Sequence, residues 1–166
     1  VNLDRAIDRF QTYLSVERGL SPNTVEAYTT DLVQLSRFLS DGKAGGFPVG
    51  SIERSQIRAF LSDQVHRRVS SRSVMRKMSS LRSFFGFLVK RGHCASDPTA
   101  NLSSPKKRES LPGVVSADRV RDMMSLPDVS GLRGLRDRAV LEFLYGTGVR
   151  LAEMVALDVG DLLADR

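Results

Sequence analysis

Apolar side chains recur every three to four residues along almost the whole chain, and no stretch alternates apolar and polar as a half-buried strand must. That pattern alone predicts an all-α fold. Leu3, Ile7, Phe10 and Leu14 line one face of a first helix that Gly19 stops. Ser21 and Pro22 restart the helix, a capping hydroxyl followed by the one residue type suited to a first helical position without a free N–H. Val25, Tyr28, Leu32, Leu35 and Leu39 then form the second apolar stripe. A third helix is expected from near Ser55 with Ile57, Phe60, Leu61 and Val65 inward, and a fourth from about Ser71 to Lys90, ended by Gly92. Residues 41–50 hold four glycines and a proline and read as a loop, whose Gly42-Lys43-Ala44 lacks the spacing and Ser/Thr of a phosphate-binding loop.

The periodicity fails again over a longer stretch. Asp97-Pro98, Ser103-Ser104-Pro105-Lys106-Lys107-Arg108 and Leu111-Pro112-Gly113 combine prolines with a basic cluster and have no apolar period, the composition of an interdomain linker. A four-helix domain is therefore expected over residues 1–103, a linker over 104–113 and a second segment over 114–166. In that segment Ser116 can cap a helix carrying Val120, Met123 and Met124. A further helix spans roughly Leu132 to Tyr145, and Gly146-Thr147-Gly148 breaks it before a short helix through Leu151, Met154 and Val155. With 41% apolar and 27% charged residues among 166, the chain can bury a core and is not a disordered composition. It holds neither the run of about 18 apolar residues of a membrane helix nor the basic-then-apolar order of a signal peptide, so a cytoplasmic location without membrane contact is expected. Cys94 has no partner for an internal disulfide, and with His66 and His93 it makes too small a set for a structural zinc site. No cofactor or metal is expected. Val1 in place of an initiator methionine is what a trimmed or excised chain, or one that has lost its initiator, shows.

Charge is distributed unevenly. Of the net +6, all lies in residues 1–104, with 15 Lys/Arg against 9 Asp/Glu, whereas residues 105–166 hold 10 against 10. Residues 54–91 carry ten bases and the single acid Asp63. Such a stripe suits a polyanion, because each phosphate neutralised releases counterions; a solvated basic face is the other reading. On the fourth helix, at about 100° per residue from Arg72, Ser83, Arg76 and Ser80 fall at roughly 20°, 40° and 80° and Ser79 at about 340°. Val74, Met78, Leu81, Phe85 and Leu88 fall between roughly 160° and 240° on the same wheel. A face of Arg and Ser therefore lies opposite the core face, able to follow a phosphate track or enter a major groove. Acids that would give an ordinary surface helix its i,i+4 pairs are almost missing.

A second informative stretch runs Leu135-Arg136-Asp137-Arg138-Ala139-Val140-Leu141-Glu142-Phe143-Leu144-Tyr145-Gly146-Thr147-Gly148-Val149-Arg150-Leu151-Ala152-Glu153-Met154. It is not a dinucleotide fingerprint, since Leu151 occupies the third glycine position and a helical pattern precedes the glycines. Two glycines permit a tight break that leaves Arg150 at the start of the next helix, beside unpaired N–H groups, where a fork-shaped permanent cation can grip a phosphate. Glu153, one turn on, can orient that guanidinium. A simple ion pair between the two is the structural alternative.

This stretch resembles the first active-site motif of the tyrosine recombinases, the phage-integrase and Xer-type family. There a helix reading L-R-D-x-A-x-L-x-x-L-Y-x-T-G precedes the first catalytic arginine. Other segments resemble the family in the same order: Ser21-Pro22-Asn23-Thr24 through Ala27-Tyr28 and Asp31-Leu32, then Ser80-Leu81-Arg82-Ser83-Phe84-Phe85. Asp97-Pro98-Thr99-Ala100 with Leu102, Ser103-Ser104-Pro105-Lys106 and Leu111-Pro112 follow. The resemblance implies a SAM-like, four-helix core-binding domain followed by the helical start of a mainly α catalytic domain. It also implies site-specific recombination of double-stranded DNA through a 3′-phosphotyrosyl intermediate, with neither metal nor nucleotide. Arg150 matches the first catalytic arginine and Glu153 the supporting acid. Asn23 and Thr24 on the second helix, with Arg72, Ser73, Arg76, Lys77 and Arg82 on the fourth, are the expected DNA contacts. Implied partners are a recombinase tetramer on two DNA sites, a second recombinase and a DNA translocase, in the setting of chromosome partition and cell division.

The sequence also departs from the family. Residues 151–166 contain no Tyr, His or Lys, so the family's later lysine, His-x-x-Arg box and tyrosine nucleophile have no counterpart after Arg150. The chain is expected to be a portion of such a recombinase, ending after the first arginine motif and inactive alone. Tyr13, Tyr28 and Tyr145 precede Arg150 within helical segments and read as packing or backbone-contact residues. A non-enzymatic helical DNA-binding module that occupies recombination sites or regulates transcription is the alternative, and a helical protein-interaction domain is a third.

Overall fold

The computed structural model describes residues 1–40, 46–103, 113 and 115–161. The loop reading at Gly42-Lys43-Ala44 and, Gly113 apart, the linker expected over 104–113 lie outside the described residues. The chain divides into two compact units, Val1–Glu109 and Ser110–Arg166. Among the described residues every regular element is helical, apart from one antiparallel bridge between Asn2 and Pro48.

The first unit is four helices around one core: α1 (Leu3–Thr12), α2 (Pro22–Ser40), α3 (Arg54–His66) and α4 (Ser71–Lys90). Asn2 caps α1 by accepting from the Asp4 N–H at 3.0 Å. A π-helical turn over Tyr13–Glu17 carries α1 on to Leu14, which is buried. Ser70 caps α4 through the Ser73 N–H at 3.2 Å, and α4 ends where Gly92 takes φ +71° and the His93 N–H returns to the Leu88 carbonyl at 2.8 Å. That left-handed residue favours glycine because a Cβ would crowd the carbonyl. Helix α3 ends through Arg68, which holds φ +57° without that freedom.

Helix α4 supplies the most buried residues, and its Phe84 meets Phe10 edge-on at 5.3 Å and Phe85 at 5.4 Å. On its far end Phe87 packs against Tyr13 at 4.8 Å, and Arg91 lies over the Phe87 ring at 5.7 Å. Tyr28 and Leu39 are partly buried against the same core. Three side chains fall otherwise than the spacing predicts. Val65 is 58% exposed near the end of α3, Ser80 is buried with its hydroxyl on the Lys77 carbonyl at 2.8 Å, and Lys77 is buried. Beyond α4, the Asp97 carboxylate accepts from both the N–H and the hydroxyl of buried Thr99, at 2.7 and 2.6 Å. This is a side-chain turn that fixes the Asp-Pro-Thr segment.

In the second unit, α5 (Ala117–Ser125) is capped by Ser116, α6 (Leu132–Thr147) ends at Gly148 with φ +67°, and α7 (Leu151–Val155) follows. None of the three contains a buried residue. Leu126, Leu132, Leu151 and Val155 are all more than half exposed, so this unit has the capped helices of a folded segment with little apolar surface removed from water.

Candidate nucleic-acid interface

The first candidate site is the start of α4. Ser70, Ser71, Arg72 and Ser73 form its first turn, and Arg72 is exposed while Ser73 is half-buried with its hydroxyl bonded to that of Ser70 at 3.0 Å. The N-terminal N–H groups of this long helix and the positive end of its dipole reinforce Arg72 toward an anion. One turn on, Arg76 is half-buried. Its Nη1 donates to the Ala27 carbonyl at 2.8 Å and to Asp31 Oδ2 at 2.5 Å, both on α2.

Lys77 does not belong to this surface. Its ammonium lies inside the unit, donating to Asp31 Oδ1 at 2.9 Å and to the Gln34 side-chain carbonyl, so the DNA contact expected of it is corrected to a structural role. The physical reason is the carboxylate: Asp31 is wholly buried, and one carboxylate takes a cation on each oxygen. Asp31 has no site role in the sequence pattern beyond its place in a segment that resembles the family, and Gln34 has none. The available signal was Asp31 at the edge of an apolar stripe between Tyr28 and Leu32. Arg82 is exposed, and its Nη2 donates to the Leu102 carbonyl at 2.5 Å, tying α4 to the segment after Thr99. On α2, Asn23 is exposed and Thr24 is half-buried with its hydroxyl 2.9 Å from that of Ser21. The bonds between α2 and α4 run through Ala27, Asp31 and Gln34, three or more residues beyond Asn23 and Thr24.

The second candidate is Arg150, which precedes α7 in extended conformation. Its backbone N–H donates to Glu153 Oε2 at 2.8 Å and its Nη1 to Oε1 at 2.9 Å. These two bonds, the backbone one first, hold the Glu153 carboxyl below its ordinary range. The Arg150 side chain is 84% exposed, so the pair orients the guanidinium without enclosing it. Tyr145 is exposed on α6, whereas Tyr13 and Tyr28 pack on the first core. Cys94 is partly buried with its thiol 3.6 Å from the Val49 carbonyl, and burial, then the neighbouring Asp97, push its pKa up. Among the described residues no group of three His, Cys, Asp or Glu side chains is placed to hold a metal ion, and no helix is long and apolar enough to cross a membrane.

Residues 7–92, just over half of the chain, match the phage integrase N-terminal SAM-like domain. The tyrosine recombinase XerC of Herpetosiphon aurantiacus is 38% identical over 161 residues, covering 96% of this chain and 52% of its own length. The tyrosine recombinase XerD of Listeria monocytogenes is 40% identical over 156 residues, covering 94% and 52%. The chain thus spans about half the length of the curated relatives it matches. Among solved structures, a lambda integrase dimer bound to a COC′ core site matches with a TM-score of 0.76 at 20% identity, over 99% of this chain and 44% of that one. A lambda integrase tetramer bound to a Holliday junction matches with 0.77 at 20%, over 98% and 45%. At that identity the likeness establishes the helical fold. With the SAM-like match over residues 7–92, just over half of its length, this chain belongs to the phage integrase N-terminal SAM-like domain family, and the curated relatives it resembles are Xer-type tyrosine recombinases.

Proposed function

We propose that this chain is the DNA-binding portion of a site-specific tyrosine recombinase, joined to the first part of its catalytic domain. The supporting observation is the cationic start of α4, where exposed Arg72 and half-buried Arg76 stand with Ser70 and Ser73 at a helix N-terminus. Arginines so placed neutralise phosphates, and the hydroxyls and helix N–H groups add donors that set register on the duplex. In this reading Asn23 and Thr24 at the start of α2 also contact the duplex.

In the whole protein, Arg150 would donate to a non-bridging oxygen of the scissile phosphate while Glu153 fixes its orientation. A tyrosine attacking phosphorus would form the 3′-phosphotyrosyl bond and release the 5′-oxygen, keeping the phosphodiester's bond energy for religation. Residues 151–166 contain no Tyr, and binding without cutting is the behaviour proposed for these 166 residues. The lambda integrase assemblies on a core site and on a Holliday junction support double-stranded DNA as ligand and a tetramer of recombinases on two sites. A second recombinase, a DNA translocase, a cytoplasmic location and a role in chromosome partition and cell division complete the reading.

The test is binding of the purified chain to duplex DNA over a salt series, together with a nicked suicide substrate. Salt-sensitive binding with no SDS-resistant adduct is the expected result. Binding that ignores salt would overturn the phosphate-gripping role, and an adduct would overturn the absence of cleavage.

A further inference from the structure

We propose that Asp31 is a positioning residue for DNA recognition: with buried Lys77 balancing its charge, it holds the Arg76 guanidinium in a fixed orientation on the α2–α4 surface before DNA arrives. The inference rests on the DNA-binding reading above.

Three observations carry it. The Asp31 side chain is fully buried and the Lys77 side chain is 4% exposed, while Arg76 is 39% exposed, so of the three charged groups only Arg76 reaches solvent. Among the described residues, both bonds of Arg76 use Nη1, to Asp31 and to the Ala27 carbonyl, which leaves the donors of the Nε–Nη2 edge of the fork for a phosphate or base. The formal charges also decide what the surface presents. A lone Arg76–Asp31 pair would be neutral and would contribute little to attracting DNA. With Lys77 on the second carboxylate oxygen the trio carries one net positive charge, and its exposed member is Arg76.

Holding a long side chain in one rotamer before binding removes the ordering cost that a free arginine incurs at the interface. A buried ion pair is weak evidence for stability, but fixing geometry is a use to which buried ionic groups are suited. Arg72, exposed one turn away, is the internal comparison: it offers the same guanidinium from the same helix.

The experiment uses the full 166-residue chain and a duplex bound by the native protein. The double variant D31L/K77M keeps the trio's net charge and removes the side-chain acceptor that holds Arg76, leaving it the Ala27 carbonyl alone. It should bind about five- to tenfold more weakly than native, with the slope of log K against log salt unchanged, because Arg76 still neutralises its phosphate. K77M alone keeps the tether and cancels the net charge, and should lower the slope by about one although Lys77 touches no DNA. In an R76A background, adding D31L/K77M should change affinity by less than about twofold, since Asp31 then has nothing to position. Native-like affinity in folded D31L/K77M, or the same loss with Arg76 already removed, would overturn the inference. If that double variant does not fold, the native protein decides: NMR relaxation of arginine Nε should find Arg76 rigid and Arg72 mobile without DNA, and equal mobility would overturn it. Failure of the native chain to bind duplex would remove the DNA reading and this inference together. Binding that depends on Arg76 but not on Asp31 would remove this inference alone.

Discussion

Lys77 and Asp31, 46 residues apart, form a 2.9 Å ion pair inside the first unit, with side chains 4% and 0% exposed. A cation at the centre of the most basic stretch of the chain is thereby withdrawn from solvent, and a carboxylate on α2 becomes the junction between two helices.

Asp31→Ala should be the most damaging single change at this junction. It leaves the Lys77 ammonium buried with only Gln34 for company, and removal of one member of a buried pair costs about 3–5 kcal/mol. Lys77→Ala should cost less, because Arg76 still satisfies Asp31. Urea denaturation of the three proteins should rank them native, K77A, D31A; the reverse order for the two variants would contradict the assignment.

Arg72 and Arg82 sit on one helix but should separate by assay. Arg72→Ala should lower the salt slope of DNA binding by about one and leave urea stability within about 0.5 kcal/mol. Arg82→Ala removes a charged donor from the Leu102 carbonyl and should cost about 1.5 kcal/mol of stability. A larger slope change for Arg82 than for Arg72 would show that the tether to Leu102 is not its main role.

Amide exchange should differ between the units. Helix α4 holds nine buried residues, whereas α5, α6 and α7 hold none. Native-state exchange should therefore be faster from Ser116 onward than in Ser71–Lys90, because local opening there exposes little new apolar surface. Equal protection in a monomer would mean that the second unit is stabilised by something other than burial.

Glu153 ties the start of α7 to pH. Its folded carboxyl titrates below its ordinary value of 4.5, first because it accepts the Arg150 backbone N–H and then because of the guanidinium. A lowered folded pKa means that the contribution is complete above the unfolded value and is lost as pH falls through the folded one. A carbon-detected NMR titration should place the Glu153 midpoint under that of a model glutamate, and Arg150→Ala should move it upward while leaving the backbone bond in place. A midpoint at or above the ordinary value would contradict the bond.

Cys94 should be a slow thiol. Burial, with Asp97 nearby, raises its pKa and lowers the thiolate fraction. At pH 8 it should react with a disulfide reagent more slowly than glutathione does; a faster reaction would show that the thiol is more accessible than its place beside Val49 allows.

The elements themselves were written in the residue order. Ser70 before an apolar period and Gly92 after it delimit α4 at Ser71–Lys90, Pro22 opens α2, and Ser116 opens α5, because caps and breakers act on their nearest neighbours. The pairing of Arg150 with Glu153 was equally local, since three residues on a helix start bring the two groups together. What each helix faces was decided elsewhere. Val65 shares the apolar period of α3 but lies beside the turn at Arg67 and Arg68, where it lines an open recess with Leu61 and Met78 and stays exposed. Lys77 lies about 140° around α4 from Arg72, next to a core stripe that begins near 160°, so its helix alone leaves it on a border. Asp31 settles which side it takes. A cation leaves water only where a carboxylate waits for it, and that carboxylate arrives on a helix whose approach no residue near Lys77 encodes.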